Sequence, residues 1–354
     1  MPARLGQPQH DTIDGIPDPA ENPSLFGHAE TRQALAESYR AGKLHHALLL
    51  AGPAGIGKAT LAFHLAYHVL RYPVPATAPA ELVTPDPQSP LFRSIAQGAH
   101  PSVLHLTRPA NERSKGFKTM LTVDEIRKVN RFLSMTAHDG AWRIVIVDPA
   151  DDMNANAANA LLKNLEEPPA RTVFALIAHS PGRLLPTIRS RCRMMRMGTL
   201  ADGDLADALS ALGLPLPDKP DERTRLAQRA GGSVRGAVLL TQYGGLEIAE
   251  AVDHALDGGA FDLVHASRLA DAVTARDQSM QFDLFNEYLL DTLSARAEAV
   301  AARGDSVGAG RIAELWQEVG KAVVETVTFN LDKRQHVIGL LQKLHRELGS
   351  RSPA

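Results

Sequence analysis

Sulfhydryl chemistry is almost absent: 354 residues contain one cysteine, Cys192. A lone thiol excludes an internal disulfide and a cysteine-rich zinc site, so no structural zinc is expected, and the composition suits a reducing compartment, the cytoplasm by default. An excess of either charge is missing too. Thirty-eight Lys and Arg stand against forty Asp and Glu, for a net charge of −2. No global basic field therefore draws the chain onto nucleic acid or anionic lipid, and any DNA contact has to be local or made by a partner. Residues 1–19 lack an apolar stretch of signal-peptide length, and no run has the ~18 apolar residues of a membrane span, so neither secretion nor a membrane location is expected.

What is present is an ordinary globular composition, 44% apolar and 22% charged, in a chain long enough for two or three domains. Short apolar runs at His46–Ala51, Val103–Leu106, Arg143–Asp148 and Thr172–Ala178 read as buried strands, with Met194–Met197 as a fifth. Helical patterns alternate with them: Leu35–Tyr39, Lys58–Leu70, Val123–Met135 and Ala155–Glu166, the last stopped by Pro168-Pro169. A turn is expected at His138-Asp139-Gly140. Six prolines between Pro73 and Pro90 make that stretch an irregular surface insertion. Strands and helices alternating at this spacing imply a parallel sheet covered on both faces, with its ligand site at the carboxyl ends of the strands.

Beyond about residue 198 only helices are expected. One face of the penultimate helix carries Ile312, Leu315, Trp316, Val319, Val323 and Val327, and one face of the last carries Ile338, Leu341, Leu344 and Leu348. Both stripes read as bundle core.

Gly52-Pro-Ala-Gly55-Ile-Gly57-Lys58 lies between the first strand and the next helix and fits the phosphate-binding loop. There the glycines let backbone N–H groups curl around phosphate oxygens, and the lysine reaches the outer phosphates. The residue after the lysine, which should carry a hydroxyl for Mg²⁺, is Ala59, with Thr60 one place later. Asp148 closes its strand where a second acidic motif would touch the metal, but its neighbour is Pro149 rather than a water-orienting glutamate. Asp151 and Asp152 read as the start of the following helix. His45, His46, His100 and His105 have no further metal-ligand spacing and read as structural.

Three stretches carry a resemblance: Gly52–Thr60, Val145–Pro169 with its Asn-Ala-Leu-Leu-Lys-Asn-Leu-Glu-Glu-Pro-Pro run, and Thr187-Ile-Arg-Ser-Arg-Cys192. Together they resemble the AAA+ subunits of bacterial DNA polymerase III clamp loaders. The resemblance implies an α/β AAA+ domain over 1–198 with a five-stranded parallel sheet, a small helical lid over 199–245 and an all-α collar over 246–354. It also implies partners: gamma or tau and delta subunits in a hetero-pentamer, the sliding clamp indirectly, and primer-template DNA within the complex.

In the family, the arginine of Ser-Arg-Cys reaches the γ-phosphate held by a neighbouring subunit, a role that falls on Arg191. Gly52, Gly55, Gly57, Lys58, Thr60 and Asp148 would form the chain's own nucleotide site, with Ser180 beside His179 as the first sensor and Arg235, in Gly232–Ala237, as the second. Ala59, Pro149 and an end at residue 354 without the long tau extension resemble the delta prime branch, described as a stator that does not hydrolyse ATP. The rival reading is a gamma- or tau-type ATPase. The sequence leaves open whether ATP is held here and whether Mg²⁺ accompanies it.

Overall fold

The computed structural model describes residues 4–111, 116–134, 141–217, 219–257, 259–276 and 279–349. The turn expected at His138-Asp139-Gly140 and Met135 lie outside them. The chain divides into two compact units, residues 1–237 and 238–354.

The first unit is built on five parallel strands: β1 (Ala47–Ala51), β2 (Val103–Leu106), β3 (Arg143–Val147), β4 (Thr172–Ala178) and β5 (Arg193–Arg196). Their order across the sheet is β2-β3-β4-β1-β5. Alternate residues feed two separate apolar cores. Leu48, Leu50, Ile144, Ile146 and Ile177 point to one face, and Ala47, Leu49, Val145, Val147 and Leu176 to the other. Because both faces are covered, the central strands are apolar without a break.

Helices α1 (Ala29–Arg40), α2 (Lys58–Arg71) and α3 (Pro90–Ala96) line the first core, and α4 (Val123–Ser134), α5 (Ala155–Glu166) and α6 (Pro186–Arg189) the second. The expected five-stranded α/β architecture is present. Helix α5 starts where Asn154 accepts a hydrogen bond from the Ala157 N–H at 2.9 Å. This corrects the reading of Asp151 and Asp152 as helix-starting residues: they lie in a 3₁₀ turn, Ala150–Asp152, ahead of the cap. The proline-rich insertion is irregular, apart from a 3₁₀ turn at Pro75–Thr77, but it is not wholly superficial. Ala78 and Leu82 enter the first core, and the Val83 N–H donates to His68 Nδ1 at 3.3 Å.

After β5 come α7 (Asp202–Ala211), α8 (Pro220–Arg229) and α9 (Val234–Gln242), and the division between the two units falls within α9. The second unit continues with α10 (Gly245–Asp257), α11 (Leu263–Val273), α12 (Ser279–Ala302), α13 (Ser306–Thr328) and α14 (Lys333–Gly349), without a strand among its described residues. Its core gathers Val252, Phe282, Phe285, Leu289, Val319, Leu341 and Leu344. A partly buried polar chain borders it: Asn286 meets His336 Nε2 at 2.9 Å, and His336 Nδ1 meets the Thr326 hydroxyl at 2.9 Å.

The stripe expected on α13 is only partly core. Val319 is buried and Ile312, Leu315 and Val323 pack against the core, but Trp316 is 42% and Val327 48% exposed. The buried centre of the helix runs through Val319 and Thr326. At 3.6 residues per turn, Trp316 and Val327 fall roughly 60–100° round from it, on the rim. No helix among the described residues is long and apolar enough to cross a membrane.

Candidate functional site

The loop Gly52–Gly57 leaves the carboxyl end of β1, held there by the Gly52 N–H donating to the Ala178 carbonyl at 3.2 Å. Two of its glycines are required by space. A Cβ at Gly52 would overlap the Met197 carbonyl, and one at Gly55 would overlap Ser233 Oγ and Arg235 Cβ. Gly55 (φ 72°) and Gly57 (φ 97°) also occupy the left-handed region. Lys58 opens α2 and is 3% exposed. Its ammonium donates to the carbonyl of Gly52 at 2.7 Å and to that of Pro53. Burial pushes it down to about 8, against Asp148 and Asp151, whose charges favour the protonated amine. Thr60 is buried on the same helix.

Asp148 follows β3 and is 8% exposed. Burial pushes its carboxyl up to about 7, Asp11 adds to that rise and Lys58 opposes it. Asp151 does what the sequence did not announce. Its carboxylate accepts the main-chain N–H groups of His179 at 3.1 Å and Ser180 at 2.7 Å, joining the turn after β3 to the end of β4. Asp152 pairs with Arg108. An acidic residue in a turn after a buried strand was the only signal available, and it suits a helix start equally well.

Arg235 stands over the loop because the first turn of α9 docks on it: the N–H of Val234 donates to the Gly55 carbonyl at 3.0 Å. Its guanidinium donates to the main-chain carbonyl of Asp11. The structure thus gathers Gly52, Gly55, Gly57, Lys58, Asp148, Ser180 and Arg235 around the carboxyl ends of β1, β3 and β4. It adds Asp11, which no motif marked, since a main-chain carbonyl contributes no residue type to recognise.

Arg191 is elsewhere. It follows α6 and precedes β5, whose first residue, Arg193, pairs with Leu48 near the amino end of β1. The phosphate loop leaves the other end of that strand. Five residues of β1 at ~3.3 Å each separate the two ends of the strand by roughly 16 Å. Arg191 Nη1 donates to the Thr187 carbonyl at 3.0 Å, and Nη2 lies 2.6 Å from Glu166 Oε1 at the end of α5. Cys192 beside it is partly buried, and burial pushes the thiol up to about 11, far from a reactive thiolate. His46 and His45 bond to main-chain atoms, and no group of three or more metal-ligating side chains occurs among the described residues.

A family model described as DNA polymerase III, delta subunit, matches residues 27–201. The DNA polymerase III subunit delta′ of Pseudomonas aeruginosa is 37% identical over 250 residues, 70% of this chain and 71% of that one. The chain belongs to the DNA polymerase III delta prime family. The delta′ subunit of Escherichia coli is 37% identical over 169 residues, 46% of this chain and 45% of its own. The tau subunit of the same organism is 28% identical over 270 residues, 74% of this chain and 39% of its own. The α/β unit is accordingly the AAA+ domain of a clamp-loader family of DNA replication, and the delta prime reading is favoured over the gamma or tau one.

Within that family the residues present fit one half of a nucleotide site. The glycine loop, its lysine and the helix behind it make a phosphate cradle. A magnesium-dependent hydrolytic centre does not fit: Ala59 offers no ligand oxygen directly after the lysine, and Pro149 offers no carboxylate to orient water.

Proposed function

We propose that this chain is the stator of a bacterial DNA polymerase III clamp loader and supplies Arg191 in trans to the ATP site of a neighbouring subunit. The observation that carries the reading is the position of Arg191 at the amino ends of the strands, whereas its own phosphate loop leaves the carboxyl end of β1, a strand about 16 Å long. An arginine there cannot serve Lys58 of the same chain, and it faces outward, 36% exposed.

Brought to a neighbour's γ-phosphate, the guanidinium neutralises charge that develops as the phosphoryl group transfers. In other phosphate-loop systems such an arginine contributes ~10³ to 10⁵ in rate, ~4 to 7 kcal/mol of barrier. Hydrolysis belongs to the neighbour, and this chain's product is geometry. Residues 199–245 form its lid and 246–354 its share of a collar in a hetero-pentamer with gamma or tau and delta subunits. That assembly opens the sliding clamp for primer-template DNA in the cytoplasm. Any nucleotide held at Gly52, Gly55, Gly57, Lys58 and Thr60, sensed by Ser180 and Arg235, is bound without turnover.

The test is DNA-dependent ATP turnover by the reconstituted clamp loader, with this chain as wild type, Arg191→Ala or Lys58→Ala. The stator reading expects Arg191→Ala to slow turnover steeply and Lys58→Ala to leave it nearly unchanged. A share of turnover lost with Lys58→Ala but kept with Arg191→Ala would make the chain a gamma- or tau-type ATPase instead.

A further inference from the structure

We propose that Glu166 is the positioning residue for Arg191. The inference rests on the reading of Arg191 as the finger and adds the device that aims it. An unrestrained arginine at a domain edge samples many rotamers, all but a few of which it must abandon on docking, so a finger held ready loses less freedom when the neighbour arrives.

The structure holds this one from two sides. Nη1 donates to the carbonyl of Thr187 at 3.0 Å, and Nη2 stands 2.6 Å from Oε1 of Glu166. Two nitrogens bound to two different elements fix both the plane and the direction of the guanidinium, and the N–H groups not used by either contact remain for phosphate oxygens.

The two anchors are themselves fixed. Glu166 is the last residue of α5 and follows Leu165, 1% exposed. Thr187 precedes Ile188, 0% exposed, and both apolar residues belong to the same core. The carbonyl of Leu165 is tied in turn to His46 Nε2 at 2.9 Å, just ahead of β1. Of the two adjacent glutamates, Glu166 is the one still in the helix. Glu167, with φ −127° and ψ 66°, has left it.

An ion pair this exposed contributes little to stability, so its effect belongs in the finger's aim rather than in the fold.

The experiment uses the complete reconstituted clamp loader with DNA and ATP, the four chains Glu166→Ala, Glu166→Gln, Arg191→Ala and Glu166→Ala with Arg191→Ala, and a thermal melt of each. Glu166→Ala is expected to lower kcat about 3- to 10-fold with KM for ATP little changed, since the contact it removes orients a group that acts in the transition state. Glu166→Gln keeps an acceptor oxygen and is expected to recover most of that loss. In the Arg191→Ala background, Glu166→Ala is expected to change nothing, and no melt should move appreciably.

Turnover by Glu166→Ala at or above the wild-type rate overturns the inference, as does a loss that persists in full without Arg191 or a Gln variant as slow as the Ala one. If Arg191→Ala itself leaves turnover unchanged, the finger reading falls and this inference with it. If Arg191→Ala slows turnover while Glu166→Ala does not, only the inference falls.

Discussion

The carboxylate of Asp151 accepts the main-chain N–H of Ser180 at 2.7 Å and that of His179 at 3.1 Å, tying the turn after β3 to the carboxyl end of β4. These two strands are neighbours in the sheet although α5 separates them in sequence. The carboxylate therefore fixes the spacing of two strand ends that carry candidate site residues, Asp148 and Ser180.

Removing that carboxylate leaves the two N–H donors without a charged acceptor, so Asp151→Ala should cost about 2 kcal/mol of stability. Asp151→Asn keeps an oxygen at the same reach and should cost less. Asn154→Ala, which removes the cap of α5, should cost about 1 kcal/mol. Urea denaturation of the three variants checks the order. An Asp151→Ala protein as stable as wild type would show that the contact contributes nothing.

Gly55 and Gly98 make a matched pair for the packing of α9 on the phosphate loop. Both have left-handed backbone, φ 72° and 65°. A Cβ at Gly98 meets nothing within 4 Å, whereas one at Gly55 runs into Ser233 and Arg235. Gly98→Ala should cost only the ~1 kcal/mol of the backbone conformation. Gly55→Ala should cost roughly 1–3 kcal/mol more from overpacking. Equal losses in thermal or urea denaturation would mean that α9 does not press on the loop.

His64 sits in α2 at 4% exposure, with Nε2 bonded to the Asn22 carbonyl at 2.9 Å, and burial pushes its pKa down to about 4. Its unfolded value is ~6.5, so between those values the unfolded chain binds the proton and the folded one does not. Stability from this group is therefore complete above pH ~6.5 and is lost as pH falls toward 4. By pH 5 the loss is about 2 kcal/mol. Urea denaturation at pH 7 and pH 5 should show a smaller difference for His64→Leu than for wild type, by about that amount. An unchanged difference would mean that His64 takes up its proton without opposing the fold.

Local pattern carried much of this molecule. The end of α5 and the bounds of β4 follow from Pro168-Pro169 and an unbroken apolar run, whereas the cap that starts α5, Asn154, came from the structure, the sequence having pointed to Asp151 and Asp152. The phosphate loop was legible because its chemistry needs glycines at fixed spacing. The sequence was less legible wherever a contact joins distant segments. Asp11 meets Arg235 across 224 positions, and Asp151 meets Ser180 across 29. Trp316 and Val327 shared a helical period with buried neighbours, yet the buried line of α13 runs through Val319 and Thr326 and leaves them on the rim.

The sequence by itself determined the element types, the family and the residue kinds at the candidate site, because periodicity, caps, glycine spacing and motif chemistry act over a few residues. The tertiary structure alone decided the strand order, the opposite ends of the strands at which Lys58 and Arg191 stand, and the choice of Glu166 to hold the arginine. Those relationships depend on how a strand pairs with partners tens of residues away, and helical or strand periodicity carries no record of the partner.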